Sequence, residues 1–100
     1  MLSQDQTTLE ISTTGQGLLE ITDQVQSWIQ QTGIKTGEVT IYCRHTSASL
    51  TIQAALTDVS LTIPVTNGRA VLGTWQGIYL FEHRHAPHHR QITLHLIGEE

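Results

Sequence analysis

The chain has 100 residues, of which 38% are hydrophobic and 14% are charged, and its formal net charge is −4. This composition indicates one folded domain and excludes a disordered chain, which would carry more charge and less apolar material. Lys35 is the single lysine. A nucleic-acid partner is therefore excluded as well, because such binding depends on clustered lysines and arginines.

The same composition favours a cytoplasmic protein without a membrane partner. Cys43 is the single cysteine, so no disulfide can form within the chain, as is usual in a reducing compartment. We expect no signal peptide, because the first residues contain neither a basic nor an apolar region. No apolar run approaches the roughly 18 residues of a membrane span.

The first part of the chain predicts a strand, a loop and the one clear helix. Residues 7–12 alternate between apolar and polar side chains, as in a half-buried strand, and residues 13–17 form a loop. Thr22 is the predicted N-cap of the helix, and Asp23 lies in the first turn, where the helix dipole favours negative charge. Apolar side chains follow at helical spacing, and Gly33 is predicted to end the helix.

The remaining residues alternate as strands do. We predict strands over residues 39–43, 48–52 and 61–65, and a tight turn at Asn67-Gly68, where both residues tolerate a positive φ. Two further strands follow, and their runs 78–80 and 92–96 are predicted to pair as an antiparallel hairpin.

Six or seven predicted strands and one helix define the fold class. Each parallel connection needs a long crossover, usually a helix, so one helix cannot supply a parallel sheet. The sequence therefore predicts an α+β fold, with a mainly antiparallel curved sheet or sandwich and one covering helix.

The first candidate site is His45-Thr46-Ser47, which interrupts two apolar alternating runs. An imidazole and two hydroxyls at a strand end could bind a metal, an anion or a substrate. The alternative is a β-bulge or bend with a hydrogen-bonded core histidine.

A second candidate is a group of histidines in the last third of the chain: His83, His85, His88, His89 and His95. Two histidines spaced by two residues share one face of a strand, and a third from the following turn could complete a zinc site. The spacing matches no standard zinc pattern, so the alternative is a turn with solvated histidines.

Arginines and the cysteine complete the candidates. Arg69, Arg84 and Arg90 follow the turn at residues 67–68, and arginine matches phosphate geometry. Glu82 and Arg84 share a face, and Arg90 could lie across the hairpin, so the alternative is a cross-strand salt bridge on the sheet surface. Cys43 is predicted to be a core residue, since a thiolate needs an accessible, electropositive setting.

The run from Ser60 to Ile78 resembles the signature of the YjbQ-like family, which is described as having secondary thiamine-phosphate synthase activity. The matching pattern is Ser60-x-x-Ile63-x-Val65-x-x-Gly68-x-x-x-x-Gly73-Thr74-Trp75-Gln76-x-Ile78. The block His45-Thr46-Ser47-Ala48 is similar to a second family motif, and Thr22, Glu82 and Arg90 also fit. The resemblance covers nearly the whole chain.

This resemblance implies a compact α+β fold, a cytoplasmic homotrimer and a pocket between subunits. The implied reaction condenses a pyrimidine diphosphate with a thiazole phosphate, so the partner is a small phosphorylated molecule and a divalent metal, Mg or Zn, is an implied cofactor. The implied site residues are His45 and Glu82 for catalysis, His45 for the metal, and Ser47, Trp75, Gln76 and Arg90 for the substrate.

The chain departs from the family between Gln53 and Ala54, where family members carry a longer middle segment with further acids and histidines. We therefore expect a single YjbQ-like domain over residues 1–100 that lacks this segment, either by deletion or because a mobile loop is missing from the sequence. A mass of the purified chain near 11.1 kDa would rule out a missing loop. Without that segment the site is incomplete, and the alternative function is a non-catalytic trimeric module that binds a metal or an anion.

Overall fold

The computed structural model describes residues 2–45, 47–52 and 59–100. The predicted junction between Gln53 and Ala54 lies outside the described residues, as does Thr46. The described elements are β1 (Leu2–Thr13), β2 (Gly17–Glu20), α1 (Thr22–Thr32), β3 (Thr36–Cys43), β4 (Ala48–Thr51), β5 (Ser60–Thr66), β6 (Arg69–Ala70), β7 (Tyr79–Glu82) and β8 (His88–Glu99).

The strands form two sheets. A five-stranded sheet has the order β1-β8-β3-β5-β6, and a three-stranded sheet has the order β2-β7-β4. Every pairing between described strands is antiparallel. The α+β class with a mainly antiparallel sheet and one helix is therefore confirmed.

The core lies where the helix and the two sheets meet. Leu94 and Leu96 of β8 pack with Val39 of β3, and the small sheet contributes Leu50 and Leu80 to the same core. All five side chains are fully buried. The apolar stripe of α1 enters this core, as the helical spacing predicts. No helix in the described residues is long and apolar enough to cross a membrane.

The predicted hairpin between residues 78–80 and 92–96 is wrong. β7 pairs with β2 and β4 in the small sheet, whereas β8 pairs with β1 and β3 in the large one. The connection at residues 83–87 therefore carries the chain from one sheet to the other. Alternation of side chains marks a strand but does not identify its partner, which is why sequence neighbours were paired incorrectly.

The helix begins one residue earlier than the predicted N-cap at Thr22 requires. Ile21 occupies the cap position without a side-chain hydrogen bond, and Thr22 is the first helical residue. The Thr22 hydroxyl instead accepts the N–H of Ile78 at 2.8 Å and donates to Glu20 at 2.7 Å. Thr22 thus ties the start of the helix to β2 and to the residue before β7. Gly33 ends the helix with φ of 78°, as predicted.

One short strand was not predicted. β2 follows directly after the predicted loop, and its four residues are too few for alternation to be visible. The turn at Asn67-Gly68 has positive φ angles and is followed by the short strand β6, so the predicted sequence of strand, tight turn and short strand is confirmed.

Candidate functional site

The centre of the candidate site is a buried ion pair between the two sheets. Glu82 ends β7 and Arg90 lies near the start of β8, and their exposed fractions are 1% and 3%. Arg90 donates through Nε to Glu82 Oε1 at 2.8 Å and through Nη2 to Oε2 at 2.6 Å. The sequence offered a cross-strand salt bridge on the sheet surface without naming its partners, whereas the structure joins Glu82 to Arg90 and buries the pair between the two sheets.

Two further donors complete the environment of this carboxylate. The Thr13 hydroxyl donates to Glu82 Oε1 at 2.6 Å, and the backbone N–H of Arg84 donates to Oε2 at 3.1 Å. We call Thr13, Glu82 and Arg90 the ion-pair cluster. The hydrogen bonds from Arg90 are the main reason why the pKa of Glu82 falls from 4.5 to about 2, although burial acts in the opposite direction. The carboxylate in turn raises the pKa of Arg90, so both groups stay charged.

His45 lies just after β3 and contacts β8 at Gln91, the residue that follows Arg90. Its Nε2 accepts the backbone N–H of Gln91 at 3.0 Å, and the side chain is half-buried. The ring is therefore in the neutral tautomer with the proton on Nδ1. This is the hydrogen-bonded histidine that the sequence offered as the alternative to a ligand.

Ser47 approaches the ion-pair cluster through its backbone. Its carbonyl oxygen accepts the N–H of His83 at 3.1 Å and a guanidinium hydrogen of Arg90 at 3.5 Å. The structure thus brings His45, Ser47, Glu82 and Arg90 to one end of the molecule, where β7 leaves the small sheet and β8 enters the large one.

Trp75 and Gln76 lie away from that end. They precede β7, so they stand at the Tyr79 end of this strand, and Glu82 stands at the other. Gln76 closes its own loop by accepting the N–H of Gly73 at 2.7 Å, and the Trp75 side chain is 93% exposed. Within one chain the six predicted site residues therefore form a group of four and a separate group of two.

The described residues contain no group of three or more histidine, cysteine or carboxylate side chains arranged to hold a metal ion. The zinc arrangement considered for the histidines near the C-terminus is accordingly not formed by this part of the chain. Cys43 is buried, and desolvation raises its pKa, so it remains a thiol in the core as expected.

One polar contact beside the cluster could not be predicted from the sequence. Ser49 Oγ lies 3.0 Å from His83 Nε2, and the His83 ring stacks on Phe81 with 4.7 Å between ring centroids. Ser49 and Phe81 are direct partners in the β4–β7 register. Because the sequence paired β7 with β8, it predicted neither the β4–β7 pairing nor the contact between Ser49 and His83.

A groove opens next to the ion-pair cluster. It has a volume of about 210 Å³ and is lined by Glu82 and by residues 12–19, which comprise the end of β1, the connection to β2 and the first residues of β2. Gly15 and Gly17 have φ angles of 157° and 145° within this connection. Glycine adopts such angles more readily than other residues, and it also leaves the backbone open to close approach.

Comparison with known proteins identifies the family. The family model described as "UPF0047 protein YjbQ-like" matches residues 7–59 and 52–99. A UPF0047 protein from Synechocystis is 35% identical over 137 aligned positions, which cover 96% of this chain and 93% of that protein. The UPF0047 protein YugU from Bacillus subtilis is 31% identical, with 75% of this chain and 86% of that protein covered. Because 137 positions exceed the 100 residues of this chain, the Synechocystis protein contains residues without a counterpart here.

Solved structures agree on the fold. The crystal structure of an uncharacterized protein of the yjbq/upf0047 family from Clostridium acetobutylicum matches with a TM-score of 0.82 at 23% identity, covering 90% of this chain and 98% of that one. A YbjQ-like protein of unknown function from Sulfolobus solfataricus matches with a TM-score of 0.80 at 22% identity, covering 97% and 100%. The chain therefore belongs to the UPF0047, YjbQ-like family.

Proposed function

We propose that this protein binds a small phosphorylated molecule as a cytoplasmic homotrimer and does not catalyse thiamine phosphate synthesis. The observation that carries the proposal is the complete pairing of Glu82. Its carboxylate oxygens accept four hydrogen bonds within the chain, and its pKa of about 2 leaves it ionised at neutral pH. A group with that pKa is a poor general acid or base near pH 7.

The chemistry of the synthase reaction supports the same conclusion. Diphosphate leaves in that reaction, so cations must stabilise the charge that develops on its oxygens. Arg90 is already paired with Glu82, and the described residues form no metal-binding group. His45 Nε2, the atom available for a base or a ligand, already accepts a hydrogen bond from Gln91. Binding of a phosphorylated molecule, unlike the synthase reaction, does not require Arg90 or His45 to be free of these partners, or a metal-binding group.

The separation of Trp75 from the ion-pair cluster supports an oligomer. A tryptophan that is 93% exposed is unusual in a monomer, and large exposed apolar side chains mark interaction surfaces. Val71, in the same connection, is also more than half exposed. In a trimer, Trp75 of one copy would approach the site of the next, which brings together the two groups of site residues that one chain keeps apart.

A direct assay separates binding from catalysis. Purified protein is incubated with the pyrimidine diphosphate, the thiazole phosphate and Mg²⁺, and thiamine phosphate is quantified; binding of each compound is measured by calorimetry in parallel. We expect binding of at least one phosphorylated compound and no thiamine phosphate above the protein-free control. Formation of thiamine phosphate by the wild type that is lost in His45→Ala would overturn the proposal and establish a synthase.

A further inference from the structure

Trp75 is held out into solvent by a turn that is closed on itself. Its side chain is 93% exposed. In residues 73–76, which we call the Trp75 turn, the carbonyl of Gly73 accepts the backbone N–H of Gln76 at 3.0 Å, and the N–H of Gly73 donates to the Gln76 side chain at 2.7 Å. A side chain carried by an ordered turn loses little backbone freedom when a partner covers it. Trp75 is therefore suited to insert into the surface of another molecule.

The groove next to the ion-pair cluster is a surface that an aromatic ring can enter. Its volume is about 210 Å³, whereas an apolar cavity of about 150 Å³ already holds a benzene ring. Leu18 and Leu19 line the groove, and their side chains are 44% and 41% exposed. A Cβ atom on Gly17, another lining residue, would meet no atom within 4 Å. The groove thus combines exposed apolar lining with room for an indole ring.

Charge does not oppose contact between the Trp75 turn and the groove. Residues 12–19 and 70–79 contain no acid, lysine, arginine or histidine. Among the described residues that line the groove, Glu82 is the only charged one, and Arg90 matches its charge at 2.6 Å. Each copy of the chain carries a net charge of −4, so copies repel one another at long range. A contact between copies is therefore favoured where both surfaces are uncharged.

The groove also offers acceptors for the indole N–H. When a tryptophan is buried, its N–H usually finds a hydrogen-bond partner. The hydroxyl of Thr14, a lining residue, forms no hydrogen bond with the other described residues. The carbonyl groups of Gly15 and Gln16 likewise accept no backbone hydrogen bond within the part of the chain that the structure describes. An inserted indole can therefore donate to an oxygen of this connection.

The Trp75 turn and the groove lie at opposite ends of β7 within one chain. The turn precedes Tyr79, whereas Glu82, which lines the groove, ends the strand about 10 Å further along. We propose that the indole of Trp75 inserts into the groove of a second copy of this chain, between the exposed leucines and the connection of residues 13–17. The inference rests on the proposed function in taking the protein to be a homotrimer, and it adds the contact that joins the copies.

This contact joins two different surfaces of identical chains, so it is heterologous. Each copy inserts one tryptophan into a neighbour and receives another in its own groove, and such contacts continue from copy to copy until a ring closes. In a closed trimer every groove is filled and every Trp75 is covered. The neighbour then contributes Trp75 to the site that contains Glu82 and Arg90.

Photo-crosslinking tests where Trp75 is seated. The full chain with p-benzoylphenylalanine in place of Trp75 is left to exchange subunits with isotope-labelled wild type and is then irradiated, and the joined peptides are sequenced by mass spectrometry. We expect cross-links from position 75 to residues 12–19 of a labelled chain. The same amino acid in place of Tyr42, an exposed aromatic of the large sheet, is the control and is expected not to reach residues 12–19 of a labelled chain. Cross-links from position 75 that all fall elsewhere, or none at all, would refute the insertion.

A charge in the groove tests the same contact from the other side. We expect Leu18→Glu to raise the dissociation constant of the trimer about tenfold or more, because it places a carboxylate against the indole. Thr14→Glu is expected to act in the same way without altering either leucine. Leu2→Glu makes the matched substitution at an exposed leucine at the far end of β1 and is expected to leave the dissociation constant unchanged. Light scattering after size exclusion measures the masses over a range of concentrations, and circular dichroism confirms that each variant is folded.

The outcomes separate this inference from the proposed function. If the wild type is a trimer and both folded groove variants remain trimers, the insertion is wrong and the homotrimer stands. If Leu2→Glu dissociates the trimer as strongly as Leu18→Glu, the groove has no special part in the contact and the insertion is wrong as well. A monomeric wild type would overturn both the insertion and the proposed homotrimer.

Discussion

Among single residues, Glu82 and Arg90 show how a charged pair can be buried between two sheets. Their bidentate geometry, together with Thr13 and the N–H of Arg84, satisfies both oxygens of the carboxylate. No buried side-chain nitrogen or oxygen of the described residues lacks a hydrogen-bond partner. The sequence predicted, as an alternative, only a cross-strand salt bridge on the sheet surface, because burial depends on the second sheet.

Removal of one member of the Glu82–Arg90 pair is expected to destabilise the protein. Glu82→Gln leaves the buried guanidinium of Arg90 without a charge partner, so we expect a loss of about 3–5 kcal/mol in the free energy of unfolding at pH 7. Urea denaturation at fixed protein concentration measures it. The control is the double variant Glu82→Leu/Arg90→Met, which removes both charges and is expected to recover much of the loss. Equal stability of Glu82→Gln and wild type at pH 7 would contradict the role of the pair.

The same pair predicts a pH dependence with a defined sign. The pKa of Glu82 is lower in the folded protein, about 2, than its ordinary value of 4.5. Its stabilisation is therefore fully present above about pH 5 and is lost as the pH falls toward 2. We expect the stability difference between wild type and Glu82→Gln to shrink over this interval. A difference that stays constant from pH 6 to pH 3 would show that ionisation of Glu82 contributes nothing.

Gly37 is a residue at which the close approach of two strands requires glycine. It faces Gly98 across the β3–β8 pair, and a Cβ atom at either position would collide with backbone atoms of the opposite strand. We expect Gly37→Ala to destabilise the protein by about 1–3 kcal/mol or more, measured by thermal denaturation. Gly73→Ala is the control, since its Cβ would meet only the flexible side chain of Gln76. Equal melting temperatures of the two variants would contradict this account.

For whole elements, the helix illustrates what periodicity predicts and what it omits. The apolar stripe and the end at Gly33 follow from the sequence. The stripe does not reveal Gln26, which is buried and pairs with Ala70 of β6 through both ends of its amide, at 3.1 Å and 2.8 Å. This contact connects the helix to the last strand of the large sheet.

The Gln26 contact can be tested within the helix. Gln26→Ala leaves the backbone N–H and C=O of Ala70 without these partners, so we expect a loss of about 1–3 kcal/mol. Gln24→Ala, at an exposed position of the same helix, is the matched control and is expected to change stability by less than about 0.5 kcal/mol. Both values come from urea denaturation. A loss of the same size in both variants would attribute the effect to the helix rather than to the contact with β6.

For the whole molecule, the exposed side chain of Trp75 predicts an oligomer, so the oligomeric state is the property to measure. We expect light scattering after size exclusion to give a mass about three times the 11.1 kDa of one chain. Trp75→Ser is expected to shift this mass toward the monomer, because it removes the apolar side chain that a neighbouring copy would bury. Tyr42→Ser removes an exposed aromatic from the large sheet instead and serves as the control. A monomeric wild type would contradict the trimer.

The sequence by itself determined the fold class, the helix, the tight turn at Asn67-Gly68 and the family, because alternation, helical spacing and turn residues are local properties of the chain. It also identified His45, Glu82 and Arg90 as site residues to consider. Only the tertiary structure decided that β7 and β8 lie in different sheets, since partner choice depends on contacts between distant residues. That division of the strands buries Glu82 with Arg90 and places Ser49 against His83.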